Sequence, residues 1–322
     1  ASDVYKRQVE VDMMGNTIHN WDMLERGYTM HHAISQDKQG NILATVSKTS
    51  AKIANGKDVR INDFIIMMDP EKGEILQEWD LVHMLDSARY GMTDYDLTSD
   101  PFAQSASNWA HNNGIVEWGD DYLATARYQG IFKFNKAGGI EWIISPHGYW
   151  RDKYLKLLLN PLHADGTPIT DPEVIAGTKN CDDFEWPWGC HTAVPLPNGH
   201  ILYFNNGYGR NFKLDFTDRK NIYTCGIEYE VDEVNRTVRQ VWQYGKERGA
   251  AYFTPARSGV QYLEQTGNRL ICPGMSNVLS NGNRGARVTE VDPETQDVVF
   301  ELELEDAIYQ RVYRMSLYPE NQ

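Results

Sequence analysis

Two β-hairpin patterns alternate along the 322-residue chain and predict an all-β fold, a β-propeller of four-stranded blades. The first pattern is an alternating strand, a short turn rich in Asp, Asn and Gly, and a second strand that often closes on Trp or Phe. The second pattern is an apolar strand, a polar turn and another apolar strand. One copy of each supplies the four antiparallel strands of a blade.

The repeats follow one another in a fixed order. The first pattern occurs at residues 9–22, 65–80, 131–144, 227–244 and 288–304. The second occurs at residues 31–47, 111–127, 191–206 and 257–274, with a last, partial copy at 311–320. These copies make four whole blades. The two ends of the chain are expected to complete one split blade, because closure of a ring removes exposed sheet edges.

Two insertions interrupt the repeats, at residues 87–110 and 149–180. The second contains a helix candidate around residues 151–159. Residues 1–8 fit neither pattern and are predicted to be a non-native leader, with the upstream part of the native chain missing. Residues 9–322 are predicted to form a single β-propeller domain.

Composition limits the function classes. The formal net charge is -14, and an acidic surface repels nucleic acid phosphates and anionic lipid. Neither nucleic acid nor a membrane is therefore expected as a partner. No apolar run of about 18 residues predicts a transmembrane helix, and no signal peptide is visible. An anionic substrate would need a local cationic pocket.

The four cysteines form no CxxC motif, which argues against a zinc ribbon or a thioredoxin-like site. Cys181 and Cys190 lie close together in a polar loop, so they are candidates for a disulfide in an oxidising compartment. The alternative is four independent thiols, with Cys225 and Cys272 as small core residues on strands.

Three copies of the second pattern begin with histidine. His32 and His191 each precede the second strand by ten residues, and His111 precedes it by eleven. In a propeller these strand starts surround one mouth of the central channel, so the imidazoles are expected to meet there. Four arginines are expected to join them and to hold an anion. They are Arg127, Arg210, Arg257 and Arg314.

Zinc is the alternative reading of the three histidines, because their spacing is compatible with a metal site. No carboxylate stands beside them as an obvious outer partner, and the arginines would repel a cation. No metal and no cofactor are therefore expected.

Three stretches resemble bacterial arylsulfate sulfotransferases. They are "NWAHNNGIVEWGDDYLATARYQGIFKFNKAGGIEWIISPHGYW", "WPWGCHTAVPLPNGHILYFNNGYGR" and "CGIEYEVDEVNRTVRQVWQYGKERG". The resemblance runs from about His31 to Tyr318. It implies a six-bladed, periplasmic propeller, often preceded by a small β-domain. It also implies sulfuryl transfer from a phenolic sulfate to a phenol, through a sulfohistidine and without the nucleotide donor PAPS.

The resemblance also implies roles for single residues. His111 and His191 match two active-site histidines of the family, and Arg210 matches its substrate-binding arginine. One departure concerns the histidine that accepts the sulfuryl group, which follows "YGKERG" in the family. This chain has no histidine after His200, and the corresponding stretch offers Arg257, Ser258 and Cys272.

Sulfuryl transfer needs a neutral imidazole to attack sulfur, cations to hold the sulfonate oxygens and a donor to protonate the leaving phenolate. His191 and His111 are the candidates for nucleophile and acid, with Arg210 as the clamp. His32, Arg127, Arg257 and Arg314 are substrate-binding candidates.

Phenolic sulfates and phenols are the expected partners, with a thiol oxidase and a second copy of the chain as further candidates. The alternatives are an inactive propeller that binds a small aromatic or anionic ligand, an interaction platform, or a metal-dependent hydrolase.

Overall fold

Strands dominate the computed structural model, which describes residues 7–48, 63–103, 105–275, 279 and 282–305. Four sheets each contain a run of four antiparallel strands in chain order, the topology of a propeller blade. The all-β class and the four-stranded blade are therefore confirmed. The chain divides into two compact units, Ala1–Leu159 and Asn160–Gln322, which are described in turn.

The first unit contains two blade sheets and one hairpin. The sheets run β3-β4-β5-β6 and β7-β8-β9-β10, and β1 pairs with β2. The strands are β1 (Arg7–Val11), β2 (Thr17–Asp22), β3 (Tyr28–Gln36), β4 (Ile42–Lys48), β5 (Asp63–Asp69), β6 (Glu74–Asp80), β7 (Asn112–Trp118), β8 (Asp121–Ala126), β9 (Gly130–Phe134) and β10 (Ile140–Ile144). Two short helices, α1 (Leu81–Met84) and α2 (Asp152–Leu155), lie in its connections.

The second unit contains the other two blade sheets. One runs β12-β13-β14-β15 with a short parallel strand, β11, added beside β15, and the other runs β16-β17-β18-β19. The strands are β11 (Asn160–Leu162), β12 (His191–Pro195), β13 (Ile201–Asn205), β14 (Cys225–Asp232), β15 (Thr237–Tyr244), β16 (Ser258–Tyr262), β17 (Arg269–Pro273), β18 (Gly285–Val291) and β19 (Val298–Glu305). Its helices are α3 (Pro172–Ala176) and α4 (Gly249–Tyr252).

All nine complete hairpin copies predicted from the sequence are present as antiparallel strand pairs. The first strand begins at Arg7, two residues before the predicted hairpin. The partial copy at 311–320 lies outside the described residues. The number of blades in a closed ring and the single domain stay predictions.

The helix predicted around residues 151–159 is shorter than expected. Helix α2 ends at Leu155, because the chain then turns back to pair with β10: Ile143 N–H donates to Leu157 O, and Leu159 N–H donates to Ile143 O. The same insertion holds α3, whose start is capped by Asp171 and which ends at a left-handed Gly177. In the described part of the chain the longest α-helix has five residues, too few to span a membrane.

Tryptophans at the ends of the outer hairpins lock neighbouring elements together. The indole N–H of Trp21, on β2, donates to Pro70 O in the β5–β6 turn at 3.0 Å. That of Trp79, on β6, donates to Lys136 O in the β9–β10 turn at 3.0 Å. A Cβ at Gly73 would lie 2.6 Å from Trp21 Cδ1, so the turn glycine makes room for the indole.

Packing between blades is apolar in the second unit. Leu202 and Phe204 of β13 share one buried cluster with Val260 of β16 and Ile271 of β17. Burial of each such side chain stabilises the fold by roughly 1.5–3 kcal/mol. This core fixes the starts of the edge strands β12 and β16, where polar side chains collect.

Each edge strand has a residue in the left-handed backbone region, either within the strand or directly before it. These residues are His32 (φ 55°), His111 (φ 53°), Thr192 (φ 46°) and Arg257 (φ 60°). The pairing register also shifts near the first three of them, which marks β-bulges. Bulges re-aim side chains at strand ends and are typical of active-site rims. A side chain with a Cβ in this region costs about 1–2 kcal/mol, which points to functional positions.

Candidate active site

His32 and His111, predicted to converge, are in contact in the first unit. Their strands lie side by side, with Ser35 Oγ of β3 donating to Ile115 O of β7 at 2.7 Å. The two Nε2 atoms are 3.2 Å apart, and the rings meet edge to face at 4.8 Å between centroids. Residues 79 positions apart therefore form one imidazole pair.

Asn108 determines which nitrogen of His111 carries the proton. Its Nδ2 donates to Ala103 O at 3.2 Å, so this end of the amide is the donor. The same Nδ2 is 3.0 Å from His111 Nδ1, which must accept. The neutral His111 ring therefore carries its proton on Nε2 and donates toward His32 Nε2.

The hydrogen-bond chain continues to His31, which lies near a buried carboxyl group. His32 accepts at Nε2, so its proton is on Nδ1, 2.9 Å from His31 Nδ1. The Nε2 atom of His31 lies 3.6 Å from Asp63 Oδ1, too far for a hydrogen bond. The other oxygen of Asp63 accepts the backbone N–H of Asn112 at 2.9 Å. Hydrogen bonds therefore link three imidazoles, from His111 through His32 to His31.

Burial shifts the pKa values at the closed end of this chain. Desolvation and the neighbouring His32 lower the pKa of His31 to about 3. Desolvation raises the pKa of Asp63 to about 7, against the backbone N–H groups of Asn112 and His111, which lower it. Near neutral pH His31 is therefore uncharged, whereas Asp63 exchanges its proton in that range.

An aromatic wall with a buried cation stands beside His111. The Tyr128 ring meets the His111 ring edge to face, 5.9 Å between centroids. The guanidinium of Arg127, 2% exposed, lies over the Phe102 ring at 4.7 Å from its centroid. Beside His111, the fully buried Asn112 amide has no hydrogen-bond partner among the described residues. A buried amide of this kind suits a ligand or a water molecule.

His191, in the second unit, has the opposite proton arrangement. Its Nδ1 lies 2.7 Å from Asn206 Oδ1 and 3.2 Å from Gly189 O. Asn206 Nδ2 donates to Thr254 O at 2.8 Å, so Oδ1 is the acceptor end of the amide. His191 therefore donates from Nδ1, and the neutral ring holds its lone pair on Nε2.

Ser258, the first residue of β16, belongs to the same network. Its hydroxyl lies 3.2 Å from Asn206 Oδ1 and 2.9 Å from Asn206 Nδ2. Ser258 stands where the resembled family was expected to carry its late histidine. The structure links this position to His191 through one amide.

Arg210 is a buried guanidinium held by a carboxylate. Its Nη1 donates to Glu185, which also accepts the hydroxyl of Tyr223 and lies 3.6 Å from Lys246 Nζ. The Tyr223 ring centroid is 4.0 Å from Arg210 Cζ. Burial opposes the charge, but Glu185 raises the pKa of Arg210. Within the described part of the chain, Arg210 Nε and Nη2 have no hydrogen-bond partner.

A cavity of about 170 Å³ opens beside Arg210. Lys213 supplies a second cation, and Phe216 and Phe253 supply an aromatic wall, with their centroids 5.9 Å apart. Asn211 and two turn aspartates, Asp215 and Asp218, are among the other lining residues. The cavity thus combines two cations, two carboxylates and apolar ring surface.

Glycine at position 207 allows the loop that carries Arg210. Gly207 has φ +66°, and a Cβ there would lie 2.2 Å from Tyr223 O and 2.7 Å from Arg210 Nη2. Only glycine fits this close approach. Gly207 lines the cavity and directly follows Asn206, so the partner of His191 and the cavity wall belong to one turn.

The remaining site predictions have mixed outcomes. Arg257 is exposed, at the left-handed position before β16. Arg314 lies outside the described residues. The roles predicted for the histidines and arginines stay predictions, as does the meeting of His191 with His32 and His111.

The predicted Cys181–Cys190 disulfide is not formed in this structure. The Sγ of Cys181 donates to Asp183 Oδ1 at 3.1 Å, whereas Cys190 is fully buried beside Tyr203 and Tyr229. The two thiols therefore belong to different environments.

Sequence reasoning missed most partners of the predicted residues. Asn108, Asp63 and Glu185 were not singled out, and Asn206 was noticed only as part of a glycine-rich turn. Each lies on a loop or strand edge 3 to 49 positions from the residue it holds. The adjacent His31–His32 pair was the one visible signal of a longer imidazole chain.

Comparison with known proteins gives the family. A model for arylsulfotransferases (ASST) matches residues 3–314 of the chain. The chain belongs to the arylsulfotransferase family. The expected resemblance is therefore confirmed at the level of the family.

Two curated members of the arylsulfotransferase family are similar over nearly the whole chain. Arylsulfate sulfotransferase AssT of Escherichia coli O6:H1 is 29% identical over 339 residues, which cover 96% of this chain and 56% of that protein. The enzyme of the same name from Lelliottia amnigena is 30% identical over 340 residues, with the same coverages. The chain therefore spans little more than half the length of these relatives. A europium-containing methanol dehydrogenase, 10% identical over 94% of this chain and 66% of its own, has a TM-score of 0.43, too low to bear on function.

Proposed function

We propose that this chain transfers a sulfuryl group from a phenolic sulfate ester to a phenol, through a sulfohistidine on His191 and without the donor PAPS. The family and its relatives named arylsulfate sulfotransferase support the reaction class. The observation that carries the proposal is the cavity beside Arg210, where a buried guanidinium with unused N–H groups faces an aromatic lining.

The anionic end of an aryl sulfate suits the cationic side of this cavity. Arg210 keeps Nε and Nη2 without hydrogen-bond partners among the described residues, and a buried donor without a partner is costly unless a ligand satisfies it. Sulfonate oxygens accept such bonds with the strength of charge-assisted pairs. Glu185 fixes the other side of the guanidinium, so the free N–H groups have a set direction.

The aromatic end suits the two phenylalanines. Phe216 and Phe253 are tilted by 50° to each other, and the Tyr208 ring packs against Phe216 with 5.6 Å between centroids. Offset and tilted ring contacts are the favoured aromatic arrangements. A phenyl ring between these side chains would leave its sulfate group on the cationic side.

The nucleophile is assigned from its tautomer. Because Asn206 accepts the Nδ1 proton of His191, the neutral ring has its lone pair on Nε2. In the first half-reaction Nε2 attacks sulfur, the bond from sulfur to the phenolic oxygen breaks, and the phenolate leaves with its electron pair. In the second, the acceptor phenol attacks sulfur, the N–S bond breaks, and a base takes the phenol proton.

His111 is proposed to stabilise the leaving phenolate with a hydrogen bond from its Nε2–H group. This role follows from its position directly before β7 and from the proton that Asn108 places on its Nε2. His32 Nε2, 3.2 Å away, is the present acceptor of that N–H group, and His31 follows at 2.9 Å. The phenolate takes its proton from solvent, and the proton of the acceptor phenol passes to solvent.

The test is release of nitrophenolate from 4-nitrophenyl sulfate by the 322-residue chain, with and without added phenol. Release that depends on phenol is expected, and Arg210→Ala should lower kcat/KM by about 1,000-fold through loss of sulfonate contacts. Arg219→Ala is the matched control, because Arg219 is an exposed arginine of the same segment outside the cavity lining.

Other outcomes contradict the proposal in distinct ways. Release in water alone would mean a sulfatase. Binding of 4-nitrophenyl sulfate without any release would mean a non-catalytic binding module, the alternative that the missing late histidine favours. Release in water alone that a chelator abolishes would mean a metal-dependent hydrolase.

A periplasmic location is part of the proposal, and the family resemblance supports it. Fractionation of cells that express the native gene should recover the protein with periplasmic markers. Recovery with cytosolic markers would contradict this location.

A further inference from the structure

One polar cluster in the second unit has no part in the proposed reaction. It joins the turn at 163–167, in the long insertion, to the loop at 181–183 that follows the insertion. His163 Nδ1 lies 3.0 Å from Asp183 Oδ1, and Cys181 Sγ lies 3.1 Å from the same oxygen. Among the described residues these three side chains are the group whose donor atoms all lie within 4.8 Å of one another.

We propose that His163, Cys181 and Asp183 bind a divalent metal ion of intermediate softness, with zinc as the expected metal. An imidazole, a thiolate and a carboxylate are three ligand types that zinc accepts. Two of the three donor-atom separations, those from Asp183 Oδ1 to His163 at 3.0 Å and to Cys181 at 3.1 Å, are close to the edges of a tetrahedron around zinc, given bond lengths of about 2.0–2.3 Å. The partly exposed side chains of His163 and Asp183 leave the fourth position open to water.

Surrounding contacts hold the ligands in place, as outer partners do in metal sites. Ala164 N–H donates to the second oxygen of Asp183 at 2.9 Å. Arg239 Nη1 donates to Ala164 O at 3.1 Å, and the same guanidinium is paired with Glu230. The turn at 163–167 is therefore fixed to β15.

The local charge also favours a cation. Metal binding would bring together the carboxylate of Asp183 and the thiolate of Cys181, which together balance a charge of +2. Asp165 adds negative potential close by, since it interacts with both His163 and Asp183. Lys179, the nearest lysine in the sequence, is paired with Asp171 at 2.7 Å.

A metal ion bound by His163, Cys181 and Asp183 would influence the candidate active site at Arg210 through the connecting backbone. Glu185, which holds Arg210, follows Asp183 by two residues. A bound ion would therefore anchor the loop from which Glu185 projects, without touching substrate. This consequence rests on the proposed function, but the metal site itself does not.

The experiment is zinc titration of the chelator-treated full chain by calorimetry, with cobalt as a spectroscopic probe of thiolate ligation. One zinc ion per chain is expected. Cys181→Ser, His163→Ala and Asp183→Asn should each weaken binding by at least about 100-fold, since loss of an outer partner alone costs 10–100-fold. His83→Ala is the matched control, because this exposed histidine has one carboxylate neighbour, Asp80.

Circular dichroism keeps the test independent of folding, and the partly exposed Cys181→Ser variant is expected to keep the wild-type spectrum. The cobalt complex of the wild type should show a thiolate charge-transfer band that Cys181→Ser lacks. Zinc affinity equal in the wild type and the Cys181→Ser variant would overturn the proposal. So would the absence of stoichiometric binding in the wild type.

Discussion

Two asparagines, one in each unit, each fix the tautomer of the histidine that they contact. The two resulting tautomers are opposite. Asn108 donates to His111, so the ring nitrogen that remains for chemistry, Nε2, carries a proton. Asn206 accepts from His191, so the corresponding nitrogen carries a lone pair. The same two residue types therefore prepare one imidazole as a donor and the other as an acceptor.

The difference shows that the role of a histidine depends on its partner more than on its repeat position. His111 directly precedes edge strand β7 and His191 begins edge strand β12, and each lies at a bulge that contains a left-handed residue. The carbonyl oxygens that hold each asparagine, Ala103 O and Thr254 O, set which end of the amide faces the ring. Chemistry at this point is thus determined by loops that lie outside the repeat.

The largest effect on activity is expected from removal of the His191 lone pair. His191→Ala should lower kcat for phenol-dependent release of nitrophenolate by at least about 10,000-fold, because a lost nucleophile has no substitute in a covalent mechanism. Steady-state kinetics with 4-nitrophenyl sulfate measures this loss. His200→Ala is the control, since His200 pairs with Glu228 outside the cavity lining. Turnover near that of the wild type would remove His191 from the mechanism.

Reversal of the His111 tautomer should lower activity less than loss of His191. In Asn108→Asp a carboxylate faces His111 Nδ1, so the proton moves to Nδ1 and Nε2 loses it. A loss of about 100-fold in kcat with little change in KM is expected for a missing hydrogen bond to the phenolate oxygen. Nitrogen-15 NMR of the histidine rings measures the tautomer directly. A reversed ring with full activity would rule out His111 as the donor to the phenolate.

Gly207 allows a test of the cavity beside Arg210. Gly207→Ala should destabilise the fold by about 2–4 kcal/mol and weaken substrate binding, because its Cβ clashes with Tyr223 O and presses on Arg210. Gly199→Ala is matched, since Gly199 also has a positive φ but has no atom within 4 Å. Its cost should be about 1 kcal/mol. Equal urea midpoints for the two variants would contradict the predicted clash.

The smallest effect concerns the closed end of the imidazole chain. The pKa of Asp63 is raised to about 7, so the folded state holds its proton more tightly than the unfolded state. Its contribution to stability is present below about pH 4 and is lost as the pH rises to 7. The stability of the wild type minus that of Asp63→Asn should fall across this range by up to about 1.4 kcal/mol per pH unit.

His31 acts with the opposite sign, because its lowered pKa makes stability rise between about pH 3 and 6.5. The comparison with Asp63→Asn keeps His31 in both proteins and isolates the carboxyl group. Denaturation in urea at several pH values measures the difference. A difference independent of pH would show that Asp63 has an ordinary pKa.

The strands were predictable because their signals are local. Alternation of apolar residues and turns such as "DPEKGE" and "NKAGG" specify hairpins within about fifteen residues. Helix α3 and the early end of α2 were missed, since the insertion at 149–180 folds by pairing with β10 and β15, which sequence periodicity does not record.

Part of the candidate site could also be predicted from the sequence. Recurrence of histidine at strand starts predicted the contact between His32 and His111. The choice of tautomer was out of reach, because it depends on which end of an amide a distant carbonyl oxygen holds. The cysteines show the same limit: nine positions separate Cys181 from Cys190, but only one of them belongs to the polar loop surface.

The four left-handed residues within or directly before the edge strands have a consequence for engineering. At about 1–2 kcal/mol each, their combined conformational strain is comparable with the net stability of an ordinary domain. A heat-resistant form of this protein would be sought first at Arg257, where glycine relieves the backbone and no imidazole is lost. Glycine at His32 or His111 would also relieve the backbone and raise the thermal stability, but it would remove an imidazole of the candidate active site.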